Sequence, residues 1–148
     1  MIWTPHVTVA AVVERDGRFL LVEEEADGEI VINQPAGHLE ERERLRDAVV
    51  RETLEETGWH FAPEFLLGVY RWSSPRNGIT YLRFAFGGRL TGRESGRALD
   101  TGILRVLWLT PAELDARAAE HRSPQVRRCV DDYLAGARYP LASLCELE

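Results

Sequence analysis

Three glutamates, Glu52, Glu55 and Glu56, are the residues whose type and spacing most clearly suggest chemistry. On a helix that advances by about 100° per residue, their side chains project within one arc of roughly 100°. Carboxylates at this spacing repel each other, and near the carboxyl end of a helix they also oppose the helix dipole. A hard divalent cation bound through oxygen atoms would compensate both effects. The spacing therefore indicates a metal site.

The alternative for these glutamates is an ordinary solvated acidic face. Arg42, Arg44 and Arg51 lie nearby as possible partners, and charged runs on helices are usually solvated surface. A half-buried cluster of three carboxylates without a cation would, however, be unstable. The opposite face of the helix carries the residues that we expect to pack on a sheet, namely Val50, Thr53, Leu54 and Thr57.

The segments around the glutamates predict the elements that position them. Residues from Glu41 to Thr57 include neither Gly nor Pro and favour helix, and Gly58 stands where a left-handed residue ends a helix. Asp16-Gly17 predicts a hairpin turn. The predicted strands are runs rich in β-branched or aromatic residues, namely Val7–Val13, Arg18–Val22, Ile30–Ile32, Phe65–Trp72, Ile79–Phe86 and Leu104–Leu109.

Two more helices and one long loop complete the predicted elements. Thr110 to Glu113 reads as a capping box with Pro at the first helical position, and Ser123-Pro124 starts another helix that ends near Gly136. The polar segment Gly88–Gly102 predicts a loop, and loops of that length are often functional. Without repeats or linkers, residues 1–148 are expected to form one mixed domain.

Composition and charge limit the classes of function. A chain of 148 residues with 45% hydrophobic and 28% charged residues is typical of a single globular domain. The 18 basic and 24 acidic residues give a net charge of −6, which argues against binding to nucleic acids or anionic membranes. All 18 basic residues are Arg, so Schiff-base and P-loop lysine chemistry are excluded.

Cysteine usage and the N-terminal sequence indicate a reducing compartment. Cys129 and Cys145 are too few for a disulfide framework at this length and are expected to be free thiols. The residues before Val7 lack the basic and apolar regions of a signal peptide, and the run Val7–Val13 is too short to span a bilayer. We therefore expect a cytoplasmic location.

The glutamates also belong to a longer pattern that resembles the signature of a known family. Gly37, Glu43 and the run Arg51–Trp59 match G-x5-E-x7-R-E-U-x-E-E-x-G-U, the Nudix box, in which U is a bulky aliphatic residue. Every Gly, Arg and Glu is present at its spacing, whereas Thr53 and Trp59 replace two apolar residues. Further segments resemble the bacterial phosphatase NudJ subfamily, namely His6–Ala10, Asn33–Glu40, Leu82–Phe84, Arg122–Pro124 and Arg138–Leu141.

The resemblance implies a fold, a reaction and a metal. The fold is a Nudix-type α/β/α sandwich with a mixed β-sheet. The reaction is Mg²⁺-dependent hydrolysis of nucleoside di- and triphosphates, and of the thiamine precursor hydroxymethylpyrimidine diphosphate, with release of phosphate. Mg²⁺, or Mn²⁺ in its place, would be held by the carbonyl of Gly37 and by Glu52, Glu55 and Glu56. The partner is then a small nucleotide or organic diphosphate, and the protein a monomer or homodimer.

Hydrolysis also needs a base for the attacking water. A bound metal lowers the pKa of a water ligand, and one carboxylate then takes the proton. Glu52 or Glu55 can act from the box, and Asp100 or Glu94 from the long polar loop. Asp100 is preferred because it precedes the last strand at about the place where the subfamily carries an acid. An ordinary loop Asp remains an equal alternative.

Two arginines are candidates for orienting groups. By the resemblance, Arg51 orients the box carboxylates through charge-assisted hydrogen bonds, with Glu43 as its counter-ion. Arg83 lies within a predicted strand and points to the face opposite its apolar neighbours. An Arg in that position suggests a contact with phosphate, and a structural ion pair is the alternative.

Aromatic residues and one histidine complete the candidate substrate site. Trp72 and Tyr81 can stack on a base or pyrimidine ring, although strand aromatics more often belong to the core. His38 follows Gly37 and can reach phosphate, although a single loop His is usually polar surface.

Two rival functions remain open. Pro75 lies 16 residues beyond Trp59, close to where the ADP-ribose subgroup carries a marker proline, so a dinucleotide or ADP-ribose pyrophosphatase is the nearest alternative. A non-catalytic Nudix-fold binding module is the second, but such modules commonly lose box carboxylates and this chain keeps all three.

Overall fold

Eight strands, three α-helices and two short 3₁₀ helices (Ala118–Glu120 and Leu141–Ser143) form the regular structure of residues 1–147, the part of the chain that the computed structural model describes. The elements are β1 (His6–Val12), β2 (Glu14–Arg15), β3 (Arg18–Ala26), β4 (Glu29–Asn33), β5 (Ala36–His38), α1 (Leu45–Thr57), β6 (Trp59–Ser73), β7 (Thr80–Arg93), β8 (Ile103–Leu109), α2 (Pro111–Ala116) and α3 (Pro124–Leu134).

The strands form two sheets. In the first, the order is β5-β1-β7-β6, with β1 parallel to β7 and the other neighbours antiparallel. In the second, β3 pairs with β2, β4 and β8, all antiparallel. Parallel neighbours need a long crossover connection, and the chain between β1 and β7 includes α1. The mixed sheet that the sequence predicts is confirmed.

Apolar side chains on both faces of the strands form two core layers. The α1-side core contains Val9, Ala11, Val13, Leu20, Ala48, Val49, Phe61, Leu66 and Phe86. The α3-side core contains Val12, Phe19, Leu21, Ile32, Leu67, Ala85, Leu114, Val126, Cys129 and Val130. Successive strand residues point to opposite faces, which places Ala85 and Phe86 in different layers. Helices therefore cover both faces, and the predicted α/β/α sandwich is confirmed.

The helix with the glutamates ends where it was predicted to end but begins later. Gly58 adopts φ 77° and its N–H donates to the carbonyl of Leu54. The predicted start at Glu41 is wrong, because α1 begins at Leu45 and Arg42 has φ 63°, a left-handed conformation that a helix cannot continue through.

The buried face of α1 also differs from the expectation. It comprises Ala48, Val49, Glu52, Thr53, Glu56 and Thr57. Thr53 and Thr57 are buried as predicted, whereas Val50 and Leu54 are only partly buried and belong to neither core layer. Two of the glutamates therefore lie on the same side of the helix as its packing residues.

The hairpin of β6 and β7 is longer than the sequence suggested, and the following loop is shorter. Gly88 to Arg93 were predicted to be loop but pair with Trp59 to Pro63. Leu90 packs on the α1-side core while Arg89 is largely exposed. A half-buried strand of polar and Gly residues has a weak sequence signal. Only residues 94–102 remain as a loop.

The predicted turn and caps are present. Asp16 and Gly17 have φ 51° and 77° in the turn between β2 and β3. The Thr110 side chain accepts from the N–H of Glu113, whose carboxylate accepts from the N–H of Thr110. Ser123 caps α3. Among residues 1–147, no helix has the length and apolar character needed to cross a membrane.

The C-terminal segment links the two faces. After α3 it crosses the edge of β6, where Tyr139 and Leu66 exchange backbone hydrogen bonds of 2.9 and 2.8 Å. Leu141 and Leu144 then pack on the α1-side core. Glu146 reaches the start of α1, where its Oε1 accepts a hydrogen bond from the backbone N–H of Leu45.

Glu146 is expected to stabilise α1 as its distant cap. Arg44, at the cap position, makes no side-chain cap hydrogen bond, and a carboxylate at a helix N-terminus satisfies a free N–H and favours the dipole. Glu146→Ala should lower the free energy of unfolding by about 1 kcal/mol, or the melting temperature by about 3 °C. The exposed Glu41, changed to Ala, is the control. Equal melting temperatures for the two variants would contradict the cap.

Candidate active site

The box glutamates meet β5 at Gly37. Gly37 pairs with Val9 of β1, and the carboxyl group of Glu52 packs directly against its backbone. A Cβ atom at position 37 would overlap this carboxyl group, so only glycine permits the contact. The close approach explains why the box requires a glycine fifteen positions before Glu52.

Two of the three box glutamates are buried. Glu52 is 9% exposed and Glu56 is 7% exposed. Burial raises the pKa of Glu52 and raises the pKa of Glu56 to about 9. For Glu56, the effect of burial outweighs that of the hydrogen bond from the backbone N–H of Ala36, which lowers the pKa. That bond joins Glu56 Oε1 to the Ala36 nitrogen at 2.9 Å. These carboxylates do not form a solvated acidic face.

A group of three carboxylates forms at the end of α1. Single oxygen atoms of Glu52, Glu55 and Asp100 lie within 4.8 Å of one another, and we call these three residues the carboxylate group. The loop reaches α1 through a hydrogen bond of 3.0 Å from the N–H of Asp100 to the carbonyl of Glu55. Glu56 is outside this group. Glu94, the other loop acid, instead pairs with His60 at 2.7 Å.

Arg51 connects the carboxylates to the preceding loop. Its Nε and Nη2 donate to the two oxygens of Glu43 at 2.7 and 2.9 Å. Nη1 donates to Glu52 at 2.7 Å and to Glu55 at 3.4 Å, and Nη2 also donates to the carbonyl of His38 at 3.1 Å. The hydrogen bonds from Arg51 lower the pKa of Glu43. One guanidinium thus fixes three acids in place.

The donor set fits a divalent cation. Glu52, Glu55 and Asp100 offer only oxygen ligands, which hard cations such as Mg²⁺ and Ca²⁺ prefer. Arg51 offsets part of their negative charge but does not donate to Asp100. Like charges held at this distance destabilise the site unless a further positive charge is present.

A cavity of about 420 Å³ lies beside Gly37. It is lined by all four residues proposed from the sequence to bind substrate, namely His38, Trp72, Tyr81 and Arg83. The rings of Trp72 and Tyr81 are stacked, with centroids 6.0 Å apart and planes inclined by 20°. His38 contacts His6 at 3.1 Å, and burial lowers the pKa of His38.

Arg83 forms no ion pair with a carboxylate among residues 1–147. It is 4% exposed, and its Nη1 and Nη2 donate at 2.8 Å to the side-chain oxygens of Gln34 and Asn33. The structural ion pair that the sequence left open for Arg83 is therefore absent from the described structure.

The cavity also contains residues that were not predicted from the sequence. Asn33, which lines the cavity, is the last residue of β4 and lies four positions before Gly37; a polar residue at the end of a strand and close to the box glycine is a signal for a site that the sequence contains. Arg122 also lines the cavity and pairs with Glu24 at 2.8 Å, a contact across 98 positions that no local pattern indicates. Pro75 is exposed in the turn between β6 and β7 and does not line the cavity.

Comparisons with known proteins agree with this geometry. A model of the NUDIX domain matches residues 4–129. Phosphatase NudJ of Escherichia coli (strain K12) is 40% identical over 137 residues, which are 93% of this chain and 88% of the relative. Phosphatase NudJ of Shigella sonnei matches to the same extent.

Solved structures show the same relationship. A NUDIX hydrolase from Nitrosomonas europaea superposes with a TM-score of 0.95 at 51% identity, covering 97% of this chain and 98% of its own. A MutT NUDIX hydrolase from Burkholderia pseudomallei, at 22% identity and a TM-score of 0.74, covers 88% of this chain and 98% of its own and shows the fold alone. Together with the box and the carboxylates beside Gly37, these matches establish that the chain belongs to the Nudix hydrolase family and is a hydrolase acting on phosphoric anhydride bonds.

Proposed function

We propose that this protein is a Mg²⁺-dependent phosphatase. Its substrates are nucleoside tri- and diphosphates and small organic diphosphates such as hydroxymethylpyrimidine diphosphate. The observation that carries the proposal is the carboxylate group next to a cavity with stacked aromatic walls. The names of the NudJ relatives support phosphate release.

The box residues are proposed to hold the metal. Glu52, Glu55 and Glu56 provide carboxylate oxygens, and Gly37 provides its carbonyl at the point where the cavity meets α1. Mg²⁺, or Mn²⁺ in its place, would neutralise phosphate charge and lower the pKa of a bound water. Arg51 orients Glu52 and Glu55 through its hydrogen bonds.

Asp100 is proposed as the general base. Glu52 and Glu55 accept hydrogen bonds from Arg51, and these bonds engage carboxylate oxygens that would otherwise be available to a water molecule. Asp100 lies within the same group, is exposed, and receives no hydrogen bond from Arg51. It can therefore take a proton from a water that approaches the diphosphate from solvent.

The substrate is proposed to enter the cavity with its phosphates towards Gly37. Trp72 and Tyr81 provide an aromatic wall for a flat ring. His38 lies between this wall and the box, since it lines the cavity and its carbonyl accepts from Arg51. Arg83 adds positive charge at the buried side of the cavity.

The reaction is tested by phosphate and pyrophosphate release with Mg²⁺. The panel contains nucleoside tri- and diphosphates, hydroxymethylpyrimidine diphosphate and ADP-ribose. We expect stepwise phosphate release from the first three classes.

Glu56→Gln should lose about a hundredfold or more in kcat/KM, because a ligand of the metal is removed. Asp100→Asn should lose about a hundredfold or more in kcat, because the base is removed.

Glu41→Gln is the control, because Glu41 is an exposed glutamate in the loop before α1. Turnover of ADP-ribose alone would assign the protein to the pyrophosphatases. Activity that survives in Glu56→Gln would show that the proposed metal site is wrong.

Gly37→Ala tests the contact between β5 and α1. The added Cβ would displace the Glu52 carboxyl group, so we expect a loss of kcat/KM of about a hundredfold. Gly92→Ala is a matched control, since a Cβ at Gly92 meets no atom within 4 Å. Comparable activity in the two variants would contradict the proposed role of the close approach.

A further inference from the structure

Arg83 differs from every other arginine among residues 1–147 because it alone is buried. Many of the others form ion pairs with carboxylates of the described residues, among them Arg51, Arg117 and Arg122. A buried charge without an opposite charge is unfavourable. The position of Arg83 in the wall of a cavity suggests that a ligand compensates it.

Neutral groups hold the Arg83 guanidinium in place. Gln34 Oε1 and Asn33 Oδ1 each accept a hydrogen bond of 2.8 Å, and the Cys129 sulfur lies 3.8 Å from Nη1. Gln34 is itself fixed, because its Nε2 donates to the carbonyl of Val126 at 2.8 Å. Arg83 Nε is buried without a partner. The network orients the guanidinium but leaves its charge and one donor uncompensated.

Arg83 lies away from the carboxylates. Thr8 on β1 pairs with His38 on β5 and with Arg83 on β7. The backbones of His38 and Arg83 are therefore separated by two strand spacings, or about 10 Å. Strand alternation puts Arg83 on the same face as Ala85 of the α3-side core, whereas the box glutamates lie on α1. With the phosphates at Gly37, as proposed above, this separation leaves Arg83 beside the other end of the substrate.

The walls of the cavity that contains Arg83 suit an aromatic ring. Trp72 and Tyr81 are stacked against each other and line the same cavity as Arg83. The volume of about 420 Å³ is within the range of sites for small molecules.

We propose that Arg83 determines specificity by donating hydrogen bonds to the ring edge of the substrate, and that it does not bind the phosphates. This inference rests on the proposed function. A guanidinium has donors and no acceptor. It therefore favours a heterocycle with two neighbouring acceptors, such as O6 and N7 of hypoxanthine or guanine, over adenine, whose amino group at the same position is a donor.

Inosine diphosphate and ADP form the test pair. They share the ribose and the diphosphate, and hypoxanthine carries an oxygen where adenine carries an amino group. We expect wild-type kcat/KM to be at least about tenfold higher for inosine diphosphate. Arg83→Gln should reduce this ratio to near one, and Arg83→Lys should retain only part of it because lysine lacks the planar fork. Arg71→Gln, on the exposed part of β6, is the control.

Inorganic triphosphate, which has no ring, distinguishes the ring edge from the phosphates. The loss in Arg83→Gln should be at least about tenfold larger for inosine diphosphate than for triphosphate. Equal losses for the two substrates would mean that Arg83 binds phosphate, and a wild-type preference for ADP would equally overturn the inference.

Binding separates the failure of this inference from the failure of the proposed function. Calorimetric titration with inosine monophosphate and adenosine monophosphate requires no turnover. Tighter binding of inosine monophosphate, lost in Arg83→Gln, would support the role of Arg83 even if no nucleotide is hydrolysed. Equal affinities would overturn it, and thermal melting of each variant checks that it is folded.

Discussion

The hydrogen bonds of Arg51 are the interaction on which the site depends. Carboxylates on one turn of α1 repel each other, and burial of Glu52 increases the cost of its charge. Arg51 counters this repulsion with two bonds to Glu43 and one each to Glu52 and Glu55. The acids are therefore held in position before any cation or substrate binds. Catalytic groups that are already in position need little rearrangement during the reaction, and this favours a fast reaction.

The proposed site has two parts, which lie on different faces of the structure. The glutamates lie on α1, while the cavity with Arg83 and the aromatic wall extends towards α3. Gly37 contacts both, because it lines the cavity and packs against Glu52. The reaction can therefore stay the same while changes in the residues that line the cavity alter which substrate is bound. For this reason a box pattern identifies the reaction and not the molecule that is hydrolysed.

The sequence predicts the parts of this structure that depend on local spacing. The box places Glu52, Glu55 and Glu56 on one helix, and Gly58 ends that helix as predicted. The predicted start of α1 was wrong because Arg42 has a left-handed φ of 63°, which the residue types before Leu45 do not indicate. The partners of Arg83 lie 49 and 50 positions away, and the cap from Glu146 lies 101 positions from Leu45. Contacts over such distances leave no periodic signal, so only the folded chain reveals them.

The two departures from the box pattern show which of its positions are interchangeable. Thr53 is fully buried, and its hydroxyl donates to the carbonyl of Val49 at 2.7 Å, so its polar atom is satisfied within the helix. Trp59 packs on the α1-side core and stacks with Arg15, whose guanidinium carbon lies 4.9 Å from its ring. Apolar positions need only filled volume and satisfied polar atoms. Gly37 cannot be replaced in this way, because a Cβ at position 37 would collide with Glu52. Arg51 cannot be replaced either, because no other side chain offers Glu43 a planar pair of donors.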